Sequence, residues 1–342
     1  MDGDIRLTFE REPDYFQSAV IEGDRHHAFV ARDEARQIRG VCSRAVRPVW
    51  FNGRPGRIGY LGQLRCEVPL RGSLRPLVDG FAACASTRLA DELPFDLTSI
   101  MADNHRARRL LESGLPGLPE YRPLTKFRTL LLPKRQRPGR ADAAIRIEAG
   151  SRDAAPAIAS FLQREYRRFQ FAPVWTASDL LSDLVTRDLS IGDFMTAWKG
   201  DRIVGCAALW DQSRFKQAVV RGYADRLGRV KHLANLWMRL TGHPRLPPVG
   251  SPVRTGAISH LAVEDDEPGI ALALLGAIFA AAATRPLDYL MLGLAEGHRL
   301  ARVVEDSLSA RILSSILYTV HYPGSDAVEI DERTVHVEVA TL

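Results

Sequence analysis

The sequence predicts an α/β fold in which one unit occurs twice. Three observations predict it. Apolar runs alternating like strands are interleaved with stretches of helical spacing along the whole chain. A series of strand, turn, proline and helix at 58–92 returns at 257–284, and Arg39-Gly40-Val41 is matched by Val204-Gly205-Cys206. Between the halves lies PKRQRPGRADAA (133–144), polar, basic and holding two prolines, which reads as a linker. The expected division is therefore 1–133, a linker at 134–144, and 145–342.

In the first half, 26–33 and 37–45 read as strands, and Asn52-Gly53 reads as a hairpin turn. A strand over 58–68 follows, alternating from Ile58 to Val68, and then the turn Arg71-Gly72-Ser73. Pro76 suits the first turn of a helix, where its missing N–H costs nothing, and Leu77, Phe81 and Cys84 keep helical spacing over 76–92. Phe95 to Met101 reads as a strand, 105–113 as a basic helix opened by Asp103-Asn104, and Phe127 to Leu132 as the closing strand. In the second half the expected strands are 145–149, 193–198, 202–210, 216–223, 257–263, 287–293, 312–320 and 334–341, with Gly200-Asp201 as a turn. The expected helices are 153–168, 178–186, 268–284 and 298–307, and 224–254 is irregular.

Composition narrows the function classes. The 342 residues are 46% hydrophobic and 25% charged, as in globular chains long enough for two domains. The longest apolar run, Ile270 to Ala283, is too short for a bilayer and reads as a buried helix, and MDGDIRLTFE has no leader pattern. No membrane is expected, and the default location is cytoplasmic. Cys42, Cys66, Cys84 and Cys206 lie far apart in apolar settings, as buried thiols in a reducing compartment do. The formal charge of +5 is uneven, +7 over 1–140 and −2 over 141–342, so the first half has the better field for an anion. The arginines are scattered without interleaved aromatics, so no nucleic acid is expected. His26-His27 and His232/His243 have no third ligand at metal spacing, so no metal is expected.

Two readings stand for the turn at 71–76. A helix N-terminus offers free N–H groups and partial positive charge, and Arg71 and Arg75 add to it, which makes a phosphate-binding turn. The other is an ordinary strand–turn–helix with two surface arginines.

The first half resembles the GNAT superfamily of acyl-CoA-dependent N-acyltransferases. The resemblance rests on QLRCEVPLRG (63–72), then LTSIMADNHRARRLL (97–111), then a closing strand. These look like the family's strand, pyrophosphate loop and helix, and its strand followed by an Asn-x-x-Ala helix, with Asn104 and Ala107 in those two places. It covers most of 5–132 and, more weakly, 145–341. It implies two tandem GNAT-like domains, each a mixed, mostly antiparallel sheet splayed at an acyl-CoA site.

The same resemblance implies the site. Acetyl-CoA or another acyl-CoA would be held by Leu64 and Cys66 on the strand, by Arg71, Gly72, Ser73, Leu74 and Arg75 at the loop, and by Asn104. Leu74 and Pro76 stand where the family's loop has two small residues, and Leu111 stands where it often has a tyrosine acid. The second half departs further: Glu264-Asp265-Asp266-Glu267 would repel a pyrophosphate but suits a helix start. Its loop is therefore expected to be structural and to bind no CoA.

The chemistry implied is direct attack of a neutral amine, carried by a small molecule or a protein, on the thioester. Glu67 is the candidate base or a solvated strand-end carboxylate. Tyr121 in GLPEYRP and Tyr60 are candidate acids, Tyr121 otherwise being a packed loop tyrosine. Cys66 has no acid or histidine beside it and reads as a packed thiol. Trp210, Asp211 and Gln212, in a polar aromatic link, either line an acceptor pocket or form an exposed hairpin. His298 stands where Asn104 does in the first half, as a helix cap. The rival function is a GNAT scaffold that has lost catalysis and binds or regulates.

Overall fold

The computed structural model describes residues 5–66, 74–136, 138, 144–224, 235, 237–238 and 244–342. The first half runs β1 (Ile5–Glu10), α1 (Tyr15–Glu22), β2 (Arg25–Arg32), β3 (Ile38–Phe51), β4 (Arg54–Cys66), α2 (Arg75–Ser86), β5 (Glu92–Met101), α3 (His105–Leu111) and β6 (Glu120–Pro133). The second runs β7 (Arg146–Ala149), α4 (Ala155–Tyr166), α5 (Ala177–Leu180), β8 (Phe194–Lys199), β9 (Arg202–Trp210), β10 (Gln217–Tyr223), β11 (Pro252–Val253), β12 (Thr255–Val263), α6 (Pro268–Ala283), β13 (Tyr289–Ala295), α7 (Arg299–Ser307) and β14 (Arg311–His321).

Among the described residues eleven strands form one sheet in the order β2-β3-β4-β5-β14-β6-β13-β12-β9-β8-β7. Of this sheet's neighbouring pairs among the described residues, only β4/β5 and β12/β13 are parallel. The order is pseudo-symmetric about the antiparallel pair β14/β6, and the halves exchange a strand there. β14, from the end of the chain, sits between β5 and β6, and β6, from the first half, sits between β14 and β13. A second exchange joins β1 to β10 in a small sheet with β11.

Most elements follow their patterning. Asn52 and Gly53 both have positive φ, 49° and 72°, as the tight turn between β3 and β4 needs. Helix α6 is apolar nearly all round and packs on the sheet, with Ile270, Leu274, Leu275 and Ile278 buried beside Val204 and Ile258. Its cap is Glu267, whose carboxylate accepts from Gly269 N–H (3.1 Å) and Ile270 N–H (2.7 Å). No helix among the described residues is long and apolar enough to cross a membrane.

Three expectations need correction. The helix expected over 76–92 ends at Ser86, where Thr87 stops it with a side-chain bond back to the Cys84 carbonyl. The helix expected over 178–186 is the short α5, after which the chain continues in turns. The strand expected over 334–341 joins no ladder. It makes one bridge, Gln170 to Val335, and ends in a 3₁₀ turn at Val339–Thr341. Val335, Val337 and Val339 alternate because they fill the core beside Phe51 and Phe171. Much of the irregular 224–254 segment and of the linker lies outside the described residues.

A buried ion cluster ties the first half together. Arg44 on β3 reaches across β4 to β5, donating through Nε to Asp96 Oδ2 and through Nη2 to Asp96 Oδ1, both at 2.8 Å. Nη2 also reaches Glu92, which accepts from Arg25 at 2.6 Å, and the Tyr322 hydroxyl donates to Asp96 at 2.9 Å. The bridge passes over Gly59, where a Cβ would lie 2.2 Å from Asp96 Oδ1, so only glycine fits. The carboxylates hold the Arg44 guanidinium charged despite burial. Arg44→Met leaves buried Asp96 with the Tyr322 hydroxyl and no cation, and Glu92 with Arg25 alone, and should lower stability by about 3–5 kcal/mol, read as a fall in the urea midpoint at unchanged m value.

Candidate active site

The site begins where β4 and β5 part. Their parallel pairing runs from Arg57 opposite Glu92 to Leu61 opposite Thr98, and the Thr98 hydroxyl closes it with a 2.7 Å bond to the Leu61 carbonyl. Beyond it β4 stays with β3, through Gly62 opposite Ser43 and Cys66 opposite Gly40. Between those pairs Gln63 and Leu64 face the single residue Cys42, a bulge in which Gln63 takes φ 54°. The bulge turns β4 away from β5 and opens a cavity of about 920 Å³.

Because neighbouring residues of a strand point to opposite faces, the cavity passes through the sheet. On the helix face it is lined by Leu77, Phe81 and Cys84 of α2, Ile100 of β5, Leu111 of α3 and Tyr121 of β6. On the opposite face it is lined by Tyr60, Ser43, Ser99, Phe9 and Leu342. The walls are mostly apolar, with a few polar groups, as small-molecule sites are. On the second face Tyr60 Oη and Ser99 Oγ share a 2.7 Å hydrogen bond, and the Arg47 guanidinium lies 5.6 Å over the Tyr60 ring.

Tyr121 is the informative polar group. It is buried, packed edge-on against Phe81 and Tyr318, and its hydroxyl has no hydrogen-bond partner among the described residues. Burial raises its pKa, so it carries its proton at neutral pH. Its sequence context reads as a turn, whereas it is the second residue of a long strand.

Of the site residues singled out from the sequence, Tyr60, Leu64, Cys66, Asn104 and Tyr121 meet at this cavity. Asn104 also caps α3, its Oδ1 accepting from Ala107 N–H at 3.2 Å. Leu74 is the N-cap residue of α2, with no side-chain cap bond, and exposed Arg75 lies 3.7 Å from Asp79. Glu67, Arg71, Gly72 and Ser73 lie outside the described residues. Trp210, Asp211 and Gln212 do not line this cavity. Trp210 is buried and donates to the Arg187 carbonyl (2.7 Å), Gln212 donates to the Ala340 carbonyl (2.9 Å), and Asp211 accepts from Ser213 N–H (3.0 Å). The side chains on α2, spaced at 77, 81 and 84, were readable as one helix face, but nothing local marked that face as a cavity wall.

The second half repeats the splay. β12 and β13 pair only from Thr255 opposite Tyr289 to Ala257 opposite Met291, and His260 takes φ 54° at a register shift against β9. Here the gap is filled. Glu338 accepts from His260 N–H at 2.8 Å, and Val339 sits so close to Gly293 that a Cβ there would be 2.6 Å away. His336 packs against Tyr166, Phe169 and His298. His298 caps α7, its Nδ1 accepting from Leu300 N–H at 3.2 Å. The acidic turn is tied up by arginines, Asp266 to Arg168 at 3.0 Å and Glu264 to Arg202.

No protein-family model and no curated protein matches the chain. Solved structures do. A GCN5-related N-acetyltransferase from Sphaerobacter thermophilus matches at TM-score 0.55 and 16% identity, over 88% of this chain and 82% of that one. N-myristoyltransferase of Saccharomyces cerevisiae, solved with myristoyl-CoA, matches at 0.56 and 11%, over 95% and 73%. The glucosamine N-acetyltransferase region of a fungal multi-domain β-N-acetylglucosaminidase matches at 0.58 and 12%, over 93% of this chain and 38% of that one. The chain therefore has the GNAT fold, as the resemblance in its sequence implied.

The plug of the second cleft sets a pH dependence. Burial holds His260 and His336 at about 3 and His298 at about 4, below the ordinary 6.5, and pushes Glu338 up to about 7 from 4.5. The stability due to neutral histidines is full above pH 6.5 and is lost as pH falls toward 4. For Glu338 the sign reverses: its contribution is full below about pH 4.5 and is lost as pH rises through 7. Three histidines outweigh one carboxyl, so urea midpoints should fall from pH 7 to pH 5. They should fall more steeply in Glu338→Gln, which lacks the opposing titration.

Proposed function

We propose that this chain is an acyl-CoA-dependent N-acyltransferase that works at the first-half cavity, with acetyl-CoA as the donor to test first. The observation that carries this reading is the through-sheet cavity at the β4/β5 splay, with buried Tyr121 in its wall and the Tyr121 hydroxyl unpartnered among the described residues. The donors of two fold neighbours support an acyl-CoA: one was solved with myristoyl-CoA and another is an N-acetyltransferase.

In this reading the pantetheine arm lies in the splay along β4. The amine, on a small molecule or a protein, comes from the face of Tyr60 and Ser99. Its nitrogen attacks the thioester carbonyl, N–C forms, C–S breaks, and β4 main-chain N–H groups at 63–66 stabilise the oxyanion. Tyr121, from β6 rather than from the α3 place held by Leu111, gives its proton to the departing thiolate and is reprotonated by the proton that the acylated nitrogen loses, so that an amide and a free thiol result. We assign deprotonation of the ammonium to Glu67, which follows Cys66 in sequence. We further propose that 145–342 is a second GNAT-like unit that shapes the site and binds no CoA, because its own splay holds residues 336–339.

Titration calorimetry with acetyl-CoA should show one site per chain, and no heat with acetyl-CoA or longer acyl-CoAs would refute the reading. With an amine found by thiol release, Tyr121→Phe should lower kcat about 10²-fold and leave KM near its starting value. Leu77→Asp, which puts a charge into the helix-side wall, should abolish acyl-CoA binding in a protein that still melts cooperatively.

A further inference from the structure

Three of the four cysteines line the cavity: Cys42 on β3, Cys66 at the end of β4 and Cys84 on α2. Cys42 and Cys84 touch, with Sγ 3.9 Å from Sγ, and are not bonded. They belong to different layers. Cys42 is the β3 residue opposite the Gln63–Leu64 bulge, and Cys84 is on the face of α2 that covers the cavity with Leu77 and Phe81. A disulfide needs the sulfurs about 2.05 Å apart, so they must close by roughly 1.9 Å.

We propose that Cys42 and Cys84 form a reversible disulfide that draws α2 onto β3 and closes the cavity. A peroxide is the oxidant. Cys42 is half-buried and Cys84 is 1% exposed, so Cys42 meets it first. The sulfur contact supports this order, lowering the Cys42 thiol while the same contact and burial raise that of Cys84. The Cys42 thiolate attacks hydrogen peroxide; S–O forms, O–O breaks, and the hydroxide released takes up a proton as water. The Cys84 sulfur then attacks the Cys42 sulfenic acid; S–S forms, S–O breaks, and the oxygen leaves as water with the Cys84 proton. Two thiols lose two electrons and one peroxide becomes two waters. A thiol reductant reverses the bond.

The bond itself does not depend on the acyltransferase reading, although its effect on acyl-CoA does, and the two are read separately. The full chain is treated with hydrogen peroxide, alkylated and digested. The expected result is a 42–84 cross-linked peptide in wild type, absent from Cys42→Ser and from Cys84→Ala, and removed by dithiothreitol. Acetyl-CoA affinity should fall at least tenfold on oxidation of wild type and recover on reduction, while each variant keeps its own starting affinity through the treatment. Sulfinic acid on Cys42, or a link to Cys66, with no 42–84 peptide overturns the proposal. So does a 42–84 link that leaves affinity within twofold. If the reduced protein binds no acyl-CoA, the function proposed above fails. Closure is then read from Cys66 alkylation, which the link should slow at least tenfold and which an unchanged rate would contradict.

Discussion

The first half depends on one side chain crossing a strand. Arg44 leaves β3, passes over Gly59 of β4 and grips Asp96 of β5 with two parallel hydrogen bonds. Just beyond that point β4 and β5 part. Splaying two parallel strands removes ladder bonds, so the strands must be held hard where the ladder stops. The Arg44 bridge does this on one side of the junction, and the Thr98 hydroxyl does it at the last pair. Tyr322, just past β14, also bonds Asp96, so the same cluster anchors the exchanged strand. The guanidinium is completely buried, and the pair gains from its geometry because Nε and Nη2 carry several charge-assisted hydrogen bonds, whereas Nη1 is buried without a partner among the described residues.

The two halves solve the same geometric problem and then differ in what fills the opening. Both bend the strand with a residue at φ 54°, Gln63 in one and His260 in the other. In the first half the opening is a cavity with apolar walls. In the second it is filled by aromatic rings, three neutral histidines and the Glu338 carboxyl. The acidic turn beside this packed cleft pairs with Arg168 and Arg202.

Local pattern revealed the elements and much less of their neighbours. The alternation in β4, the 77, 81, 84 spacing of α2 and the apolar run of α6 each carry a period that a single segment displays. The alternation of β14 says that it is a half-buried strand, but nothing in it names β5 and β6 as partners. Val335, Val337 and Val339 show the same alternation and use it to plug a cleft, so periodicity reported burial correctly and pairing wrongly. Tyr121 was masked by the prolines around it: Gly117 to Pro123 looks like a turn, yet β6 starts at Glu120 and carries Pro123 within it. The cavity was legible only through the resemblance, because a splay is a relation between two strands far apart in sequence.

The exchange of β6 and β14 fixes the order of events when the chain is made. During synthesis residues 5–133 emerge with β5 and β6 unable to lie side by side in their final places, since the slot between them belongs to residues 311–321. Two strand edges stay open until about 180 residues more have followed, a long-range closure of the kind that folds slowly and leaves edges exposed to other chains. Tyr121 meets Tyr318 only when that late strand arrives, so the cavity wall acquires its final form in the last stage of assembly. A nascent chain therefore has no finished site to offer a ligand, however early its first half is translated.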